Sequence, residues 1–388
     1  MFSITTFHEL LKGLPRPTFD RLVKQRNADK YSKGFGHHDH LIAMLYGQLS
    51  EAPGLRSLVA GFNGHVSHHY HLGTQPMKRT TLADANAKRS DAVFHATAGW
   101  LMGQVAGKQR RESAELMYLL DSTSLTLKGR EFDRWTKENR TQNTQGIKVH
   151  VLFDATSQTP QWHSFSAANV NDIELAREVP LQKGALYVFD KGYCNYSWWH
   201  RIDQAGARFV TRFKTNASLR LLECRSIPED AAQVVLKDEI VQLKNRNPGG
   251  GRINPYTQSL RRVTIVRPDK STPLVLATND LTSSALEIAQ RYKERWGIEL
   301  FFKWVKQHLK IKKFYGRSEN AVRIQVLTAF ICYLLLALYR TRHAITATLW
   351  DCLALVRATL FQRQQTESYY KKKRRREDEI ASRQLRLI

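Results

Sequence analysis

The chain has 388 residues, 42% of them hydrophobic, which is enough apolar material for two or three domains with buried cores. Lys and Arg number 60 against 35 Asp and Glu, giving a net charge of +25 and an isoelectric point near 10.0. A positive field of this size concentrates polyanions, so the composition favours a nucleic-acid partner. The alternative is a globular protein that is merely basic.

Cysteine usage and hydropathy exclude two further classes of protein. The four cysteines are scattered without a CxxC pair, so they predict neither a disulfide scaffold nor a zinc ribbon, and a reducing cytoplasm fits them. The N-terminus lacks the charged head and apolar run of a signal peptide. The most apolar stretch, residues 326–339, is shorter than the roughly 20 residues that a bilayer requires. We therefore expect a buried core helix there and no membrane span.

Residues 1–108 carry helical periodicity, with segments such as FHELLKGL and DHLIAMLYGQL separated by Gly, Pro and His. Basic residues recur along this region, so we predict a helical N-terminal DNA-binding domain, although an all-helical packing domain fits the pattern as well. Histidines cluster at 37–40 and 65–71. Without cysteines or an HExxH helix they do not predict a zinc site.

From residue 115 the pattern becomes strand-like. The runs LMYLLDSTSLTL, IKVHVLFDA, QWHSFSAAN, LYVFD and RFVTRFK are rich in β-formers, and helical segments lie between the later ones. This order predicts an α/β fold, a mixed sheet flanked by helices. Within residues 215–275, two strand-like runs flank the Gly-rich NRNPGGGRINP, which predicts a β-rich insertion before the sheet resumes at PLVLATND.

The predicted domain boundaries follow from these changes of pattern. The helical N-terminal domain covers 1–108, and the catalytic core covers 109–214 and, after the insertion at 215–275, 276–345. Residues 346–388 form a C-terminal helix and a basic tail. The tail has six consecutive cations at 371–376, and such a block is usually solvated. It either adds nonspecific attraction to phosphate or is a mobile tail without a binding role.

A long helix is predicted from about Ser283 through residue 311. At about 100° per residue, four polar side chains fall in one sector about 60° wide: Tyr292, Arg295, Glu299 and Lys306. An apolar stripe lies on another face and accounts for core packing: Ile298, Phe301, Phe302, Val305 and Leu309. Trp296 lies at the edge of the polar stripe, where core packing is favoured over stacking on a base.

Two aspartates end apolar strand runs. Asp121 follows MYLL and Asp190 follows LYVF, and each precedes small or turn-forming residues. The carboxyl ends of neighbouring strands meet at one edge of an α/β sheet, where sites are built. Glu299 can supply a third carboxylate from its helix. A lone Asp after a strand is as often a turn former, so the conjunction carries the prediction.

Three clustered carboxylates repel one another unless their pKa values rise or cations bind. Oxygen ligands suit Mg²⁺ or Mn²⁺, and two such ions serve phosphoryl transfer. The acids and the net charge therefore predict the same substrate, a nucleic-acid phosphodiester.

The unbroken pattern Y-x2-R-x3-E-x6-K, with the two strand-end acids and the DKGY turn at 190–193, resembles the signature of bacterial insertion-sequence transposases of the DDE class. That family has an RNase H-like catalytic core. Asp190 and Glu299 are 109 positions apart, which leaves room for the β-rich insertion that this family places there. The resemblance covers residues 115 to about 340.

This resemblance implies that Asp121, Asp190 and Glu299 coordinate two Mg²⁺ ions, with Mn²⁺ as a substitute. It implies that Tyr292, Arg295 and Lys306 contact phosphates at the element ends. Asp172 in NVND either supports the site from behind or caps a helix.

The implied reaction is cut-and-paste transposition. The strand is cleaved at the element ends, a hairpin forms, and the ends are joined to target DNA. A homodimer would form the synaptic complex on double-stranded terminal repeats, in a bacterial cytoplasm. The alternatives are an RNase H-like nuclease without strand transfer and a DNA-binding regulator that does not cut.

Overall fold

The computed structural model describes residues 5–109, 116–139, 144–244, 253–267, 270–362 and 375–376. Most of the predicted Gly-rich turn and of the basic tail lies outside these residues. The chain divides into two compact units, and each is described by itself: Met1–Val105 with Trp304–Ile388, and Ala106–Lys303.

The described helices and strands follow one another in a clear order. The helices are α1 (Thr6–Leu11), α2 (Arg16–Gln25), α3 (His37–Leu49), α4 (Leu55–Gly64), α5 (His69–Leu72), α6 (Arg79–Lys88), α7 (Ala92–Gln109), α8 (Arg130–Asp133), α9 (Asp172–Ala176), α10 (Tyr196–Gln204), α11 (Ala285–Glu294), α12 (Trp296–His308), α13 (Glu319–Arg342) and α14 (Leu349–Ala358). The strands are β1 (Met117–Thr126), β2 (Lys137–Asn139), β3 (Thr144–Asp154), β4 (Thr159–Ala167), β5 (Leu186–Phe189), β6 (Arg208–Arg212), β7 (Leu219–Cys224), β8 (Val235–Leu243), β9 (Leu260–Arg267) and β10 (Lys270–Thr278).

All of these strands belong to one mixed sheet, which confirms the predicted fold class. Their order is β2-β3-β1-β5-β6-β10-β9-β8-β7, and β4 pairs with β3. The pairs β1–β5 and β5–β6 are parallel, whereas β1–β3, β3–β4 and β6–β10 are antiparallel. The sheet therefore has a short parallel centre between antiparallel flanks.

The strands predicted as a β-rich insertion continue this same sheet. Strand β10 pairs with β6 on one side and with β9 on the other, both antiparallel. Since β10 uses both of its edges, β9, β8 and β7 extend the sheet outwards. The two compact units do not coincide with the predicted domains and do not test them. The domain boundaries therefore stay predictions.

Aromatic packing fixes α10 against the parallel strands. Trp198 and Trp199 are at most 1% exposed and pack on Phe189 and Phe209, with ring centroids 4.5 Å apart for Trp198–Phe189 and 5.0 Å for Trp199–Phe209. Asn195 caps the helix, its side-chain oxygen accepting a hydrogen bond from the Trp198 N–H. A large buried area thus supports the end of β5.

The predicted long helix is two helices. A capping box between Ser284 and Glu287 starts α11 close to the predicted position. Arg295 separates α11 from α12, and its N–H bonds to the Tyr292 carbonyl three residues back, a tighter turn than an α-helix makes. The prediction of one continuous helix is therefore wrong at this position. The apolar stripe is confirmed, because Ile298 and the other four residues are at most 6% exposed.

In the unit formed by the two ends of the chain, α13 is the central helix. It is long and apolar enough to cross a membrane, but 89% of its apolar window is buried by other parts of the protein. It packs against α1, α3, α6 and α14. This confirms the predicted core helix.

Candidate active site

Asp121 and Asp190 lie at the same edge of the parallel centre. In the parallel pairing of β1 with β5, Leu120 is opposite Phe189, so the next residue on each strand is one of the aspartates. Adjacent strands lie about 4.8 Å apart. The two carboxyl groups are therefore neighbours.

Strand β1 does not stop at Asp121, as the sequence had suggested. It continues to Thr126, because residues 121–126 stay paired with β3 after β5 has ended. Asp190 does end its strand and begins the 3-10 turn Lys191–Tyr193. Asp121 thus lies at the carboxyl edge of the parallel pair because β5 ends there, although β1 continues.

Arg295 links Asp121 to Glu299. Its Nη2 donates to Glu299 Oε1 at 2.5 Å, and its Nη1 lies 3.7 Å from Asp121 Oδ2. Helix α12 approaches β1 closely at Gly297, where an added Cβ would lie 3.3 Å from a Leu119 methyl carbon. A side chain at this position would press on the strand that carries Asp121. The glycine thus lets the helix bring its carboxylate to the sheet edge.

Asp190 is held by a different cation. Arg212, the last residue of β6, donates from Nε to Asp190 Oδ1 at 2.8 Å and also from Nη2. The Tyr292 hydroxyl donates to the same oxygen at 3.4 Å. Arg212 was not among the predicted site residues. The rule that located the aspartates could have found it, since Arg212 also ends a parallel strand beside β5.

The two aspartates have opposite pKa shifts. Burial raises the pKa of Asp121 to about 6; the Ser122 N–H and Arg295 lower it, and the charges of Glu299 and Asp190 raise it further. For Asp190, burial alone would raise the pKa, but hydrogen bonds from the Lys191 N–H and from Arg212 outweigh it and leave the pKa below its usual value. The carboxylates therefore interact electrostatically as one cluster.

The remaining residues of the signature are placed differently. Tyr292 is buried, at 9% exposed. Lys306 follows Glu299 on α12 and is assigned to the other compact unit. Trp296 is 57% exposed, so the expectation that it packs in the core is wrong and its indole is open to solvent. The reason is its place in the first turn of α12, on the side away from the apolar stripe.

The donor set suits a hard divalent cation, since it offers carboxylate oxygens of high negative charge. Within the described residues, however, no three His, Cys, Asp or Glu side chains stand together as a ready metal site. Arg295 and Arg212 instead supply the positive charge that the clustered acids require. Rotation of the arginine and carboxylate side chains would expose oxygens of the right chemistry.

The fold and this acidic edge define an RNase H-like α/β protein of the DDE class. Residues 112–335 match the Transposase DDE domain, and the chain belongs to this family. Membership implies an enzyme that binds DNA, cleaves it and transfers strands. Residues 3–75 match a domain of unknown function.

Several relatives carry transposase names. The chain is 41% identical over 285 residues to y4zB of Sinorhizobium fredii, named as a transposase, covering 73% of this chain and 77% of the relative. It is 28% identical to a transposase of insertion sequence element IS5377 from Geobacillus stearothermophilus, over 56% and 55% of the two chains. It is 24% identical to a transposase of element IS4SA from Synechocystis, over 73% and 78%.

A solved structure supports the fold. The piggyBac transposase in a synaptic complex with hairpin DNA has a TM-score of 0.50 at 10% identity, over 95% of this chain and 84% of that chain. At this identity the likeness shows the fold alone.

Proposed function

We propose that this chain catalyses cut-and-paste movement of a bacterial insertion sequence, through cleavage at the element ends, a hairpin intermediate and joining to target DNA. One observation carries the proposal: Asp121 and Asp190 lie side by side at one sheet edge, and Arg295 joins Asp121 to Glu299 from a distant segment. The piggyBac synaptic complex contains hairpin DNA, and the hairpin step is extended to this chain from that complex.

Asp121, Asp190 and Glu299 would hold two Mg²⁺ ions, or Mn²⁺ in their place. When bound, such ions activate water and stabilise the leaving oxygen of a phosphodiester. The strand carrying Asp121 and the turn carrying Asp190 are backed by the buried core, so these two carboxylates are pre-positioned.

Three side chains of the signature would bind the DNA backbone. Arg295 offers a two-pronged donor to a phosphate, Lys306 a point charge and Tyr292 a hydroxyl donor. Since Arg295 bonds Glu299 here, phosphate binding would draw it from the carboxylates and free them for ligation. The helical region 1–108 would bind the terminal repeats, and two copies of the chain would form the synapse in the bacterial cytoplasm.

The decisive experiment measures cleavage and joining of a DNA end in the presence of Mg²⁺ or Mn²⁺. Asp121→Asn, Asp190→Asn and Glu299→Gln should each lower the rate of both steps by at least about 10³-fold, since each removes a ligand of the reacting centre. Glu294→Gln, an exposed acid at the end of α11, is the matched control and should keep full activity.

The products separate the alternatives. Cleaved ends without joined products would favour a nuclease without strand transfer. Specific binding with no cleavage by the unmodified chain would favour the DNA-binding regulator. Full cleavage by all three acid variants would overturn the assignment of these residues.

A further inference from the structure

An ion pair between a buried lysine and a partly exposed aspartate lies near the acidic edge. Lys148 on β3 is 6% exposed, and its Nζ donates to Asp172 Oδ1 at 2.9 Å and to the Val170 carbonyl at 2.9 Å. Asp172 was considered a possible helix cap, but Asn171 occupies the N-cap of α9 and Asp172 is the first helical residue. The cap explanation is therefore wrong, and the carboxylate instead pairs with Lys148.

The pair connects the two segments that carry Asp121 and Asp190. Lys148 lies opposite Ser124 in the pairing of β3 with β1, three residues beyond Asp121. Asp172 Oδ2 lies 3.9 Å from the position of a Cβ on Gly192, in the turn that follows Asp190. The ion pair therefore extends from the strand beside Asp121 to the turn beside Asp190.

Tyr193 lies in the same turn as Gly192. It is 1% exposed, and burial raises the pKa of its hydroxyl well above 10, with the charges of Asp172 and Asp121 as the next causes. The charges of both Asp172 and Asp121 therefore act on this hydroxyl.

Stability alone does not account for a buried lysine at this position. Removing the lysine charge from water is costly, and apolar side chains of similar volume often serve stability as well or better. A charged pair does, however, fix the distance and direction between the groups that it joins. Groups outside the ligand shell tune a metal site by orienting its ligands, and this pair would do so through the backbone.

We propose that Lys148 and Asp172 are positioning residues that set the separation of Asp121 and Asp190 for divalent-ion binding. The inference rests on the proposed function, since it assigns those two aspartates as ligands. Lys148 and Asp172 do not contact the reacting DNA; both act through the backbone of β1 and of the turn after β5.

The test measures Mn²⁺ binding to the full chain by calorimetry, without DNA, together with the kcat and KM of end cleavage. Lys148→Met and Asp172→Asn should each weaken Mn²⁺ binding and lower kcat by about 10- to 100-fold. KM for the DNA end should stay within about twofold, because the phosphate contacts are intact. Lys148→Arg keeps the charge and should recover part of the Mn²⁺ affinity.

Arg261→Met is the matched control. Arg261 is 3% exposed and pairs with Asp238 at 2.6 Å, in the outer strands of the same sheet. Its loss should lower the thermal midpoint while Mn²⁺ affinity stays unchanged.

The outcomes are distinguishable. If the unmodified chain binds no Mn²⁺ and cuts no DNA, the proposed function fails. If it binds and cuts, but Lys148→Met and Asp172→Asn bind Mn²⁺ as tightly as it does, the positioning role is overturned. It is also overturned if Arg261→Met weakens Mn²⁺ binding equally, since the effect is then general destabilisation. Should Lys148→Met fail to fold, Asp172→Asn decides, because it leaves the bond from Lys148 to Val170 in place.

Discussion

Asp121 and Asp190 follow apolar runs in the same sequence setting, one within β1 and one directly after β5, yet the structure gives them different electrostatics. The nearest guanidinium nitrogen to Asp121 is 3.7 Å away, whereas Asp190 accepts hydrogen bonds directly from Arg212. Burial therefore dominates at one end, and the pKa of Asp121 rises to about 6. At the other end hydrogen bonds dominate, and the pKa of Asp190 falls. A strand end locates a carboxyl group, but the side chains that fold against it decide when it is ionised.

The largest effect expected from this contrast is on stability at neutral pH. Between about pH 4 and 6 the folded chain keeps a proton on Asp121 that the unfolded chain has already released. The stability from this proton is complete below about pH 4 and is lost as the pH rises through about 6. Asp121→Asn should therefore raise the free energy of unfolding at pH 7 by up to about 3 kcal/mol. Urea denaturation at pH 7 and at pH 4 measures this, and equal stabilities at pH 7 would contradict it.

Asp190→Asn should change the free energy of unfolding in the opposite direction and by a smaller amount. A lowered folded pKa gives stability above the unfolded pKa, about 3.9, that is lost as the pH falls through the folded value. The variant should lose about 1 kcal/mol at pH 7, a figure reduced for partial solvent exposure. The same denaturation series measures it, with Glu294→Gln as the unaffected control. A gain in stability would show that Arg212 does not stabilise the charge.

Arg212→Gln should bring the pKa values of Asp190 and Asp121 closer together. Without its guanidinium, burial has less opposition at Asp190, so the pKa of this carboxyl should rise towards that of Asp121. We expect a stability loss of about 0.5 to 1 kcal/mol at pH 7. Carbon-13 NMR titration of the aspartate carboxyl groups follows the change. An unaltered Asp190 titration would mean that the Lys191 N–H alone sustains the low pKa.

Local patterns predicted much of the fold, and the site residues that they indicated stay predictions. The apolar runs in MYLLD and LYVFD indicated strands, and the periodicity after Ser283 indicated a helix with a buried face, as found. These signals succeed because strand and helix periods are written in consecutive residues. They failed at Arg295, where the helix is interrupted, and at Trp296, whose exposure depends on what packs beside it.

By itself, the sequence determined the α/β class, the basic charge and the acids that follow apolar runs, since these depend on composition and near neighbours. Only the tertiary structure decided which cation meets which carboxylate. Arg212 reaches Asp190 across 22 positions, and Lys148 reaches Asp172 across 24. Such pairings depend on strand order and register, and many distant combinations satisfy the same local pattern. The polar partners of the site are therefore a property of the folded sheet.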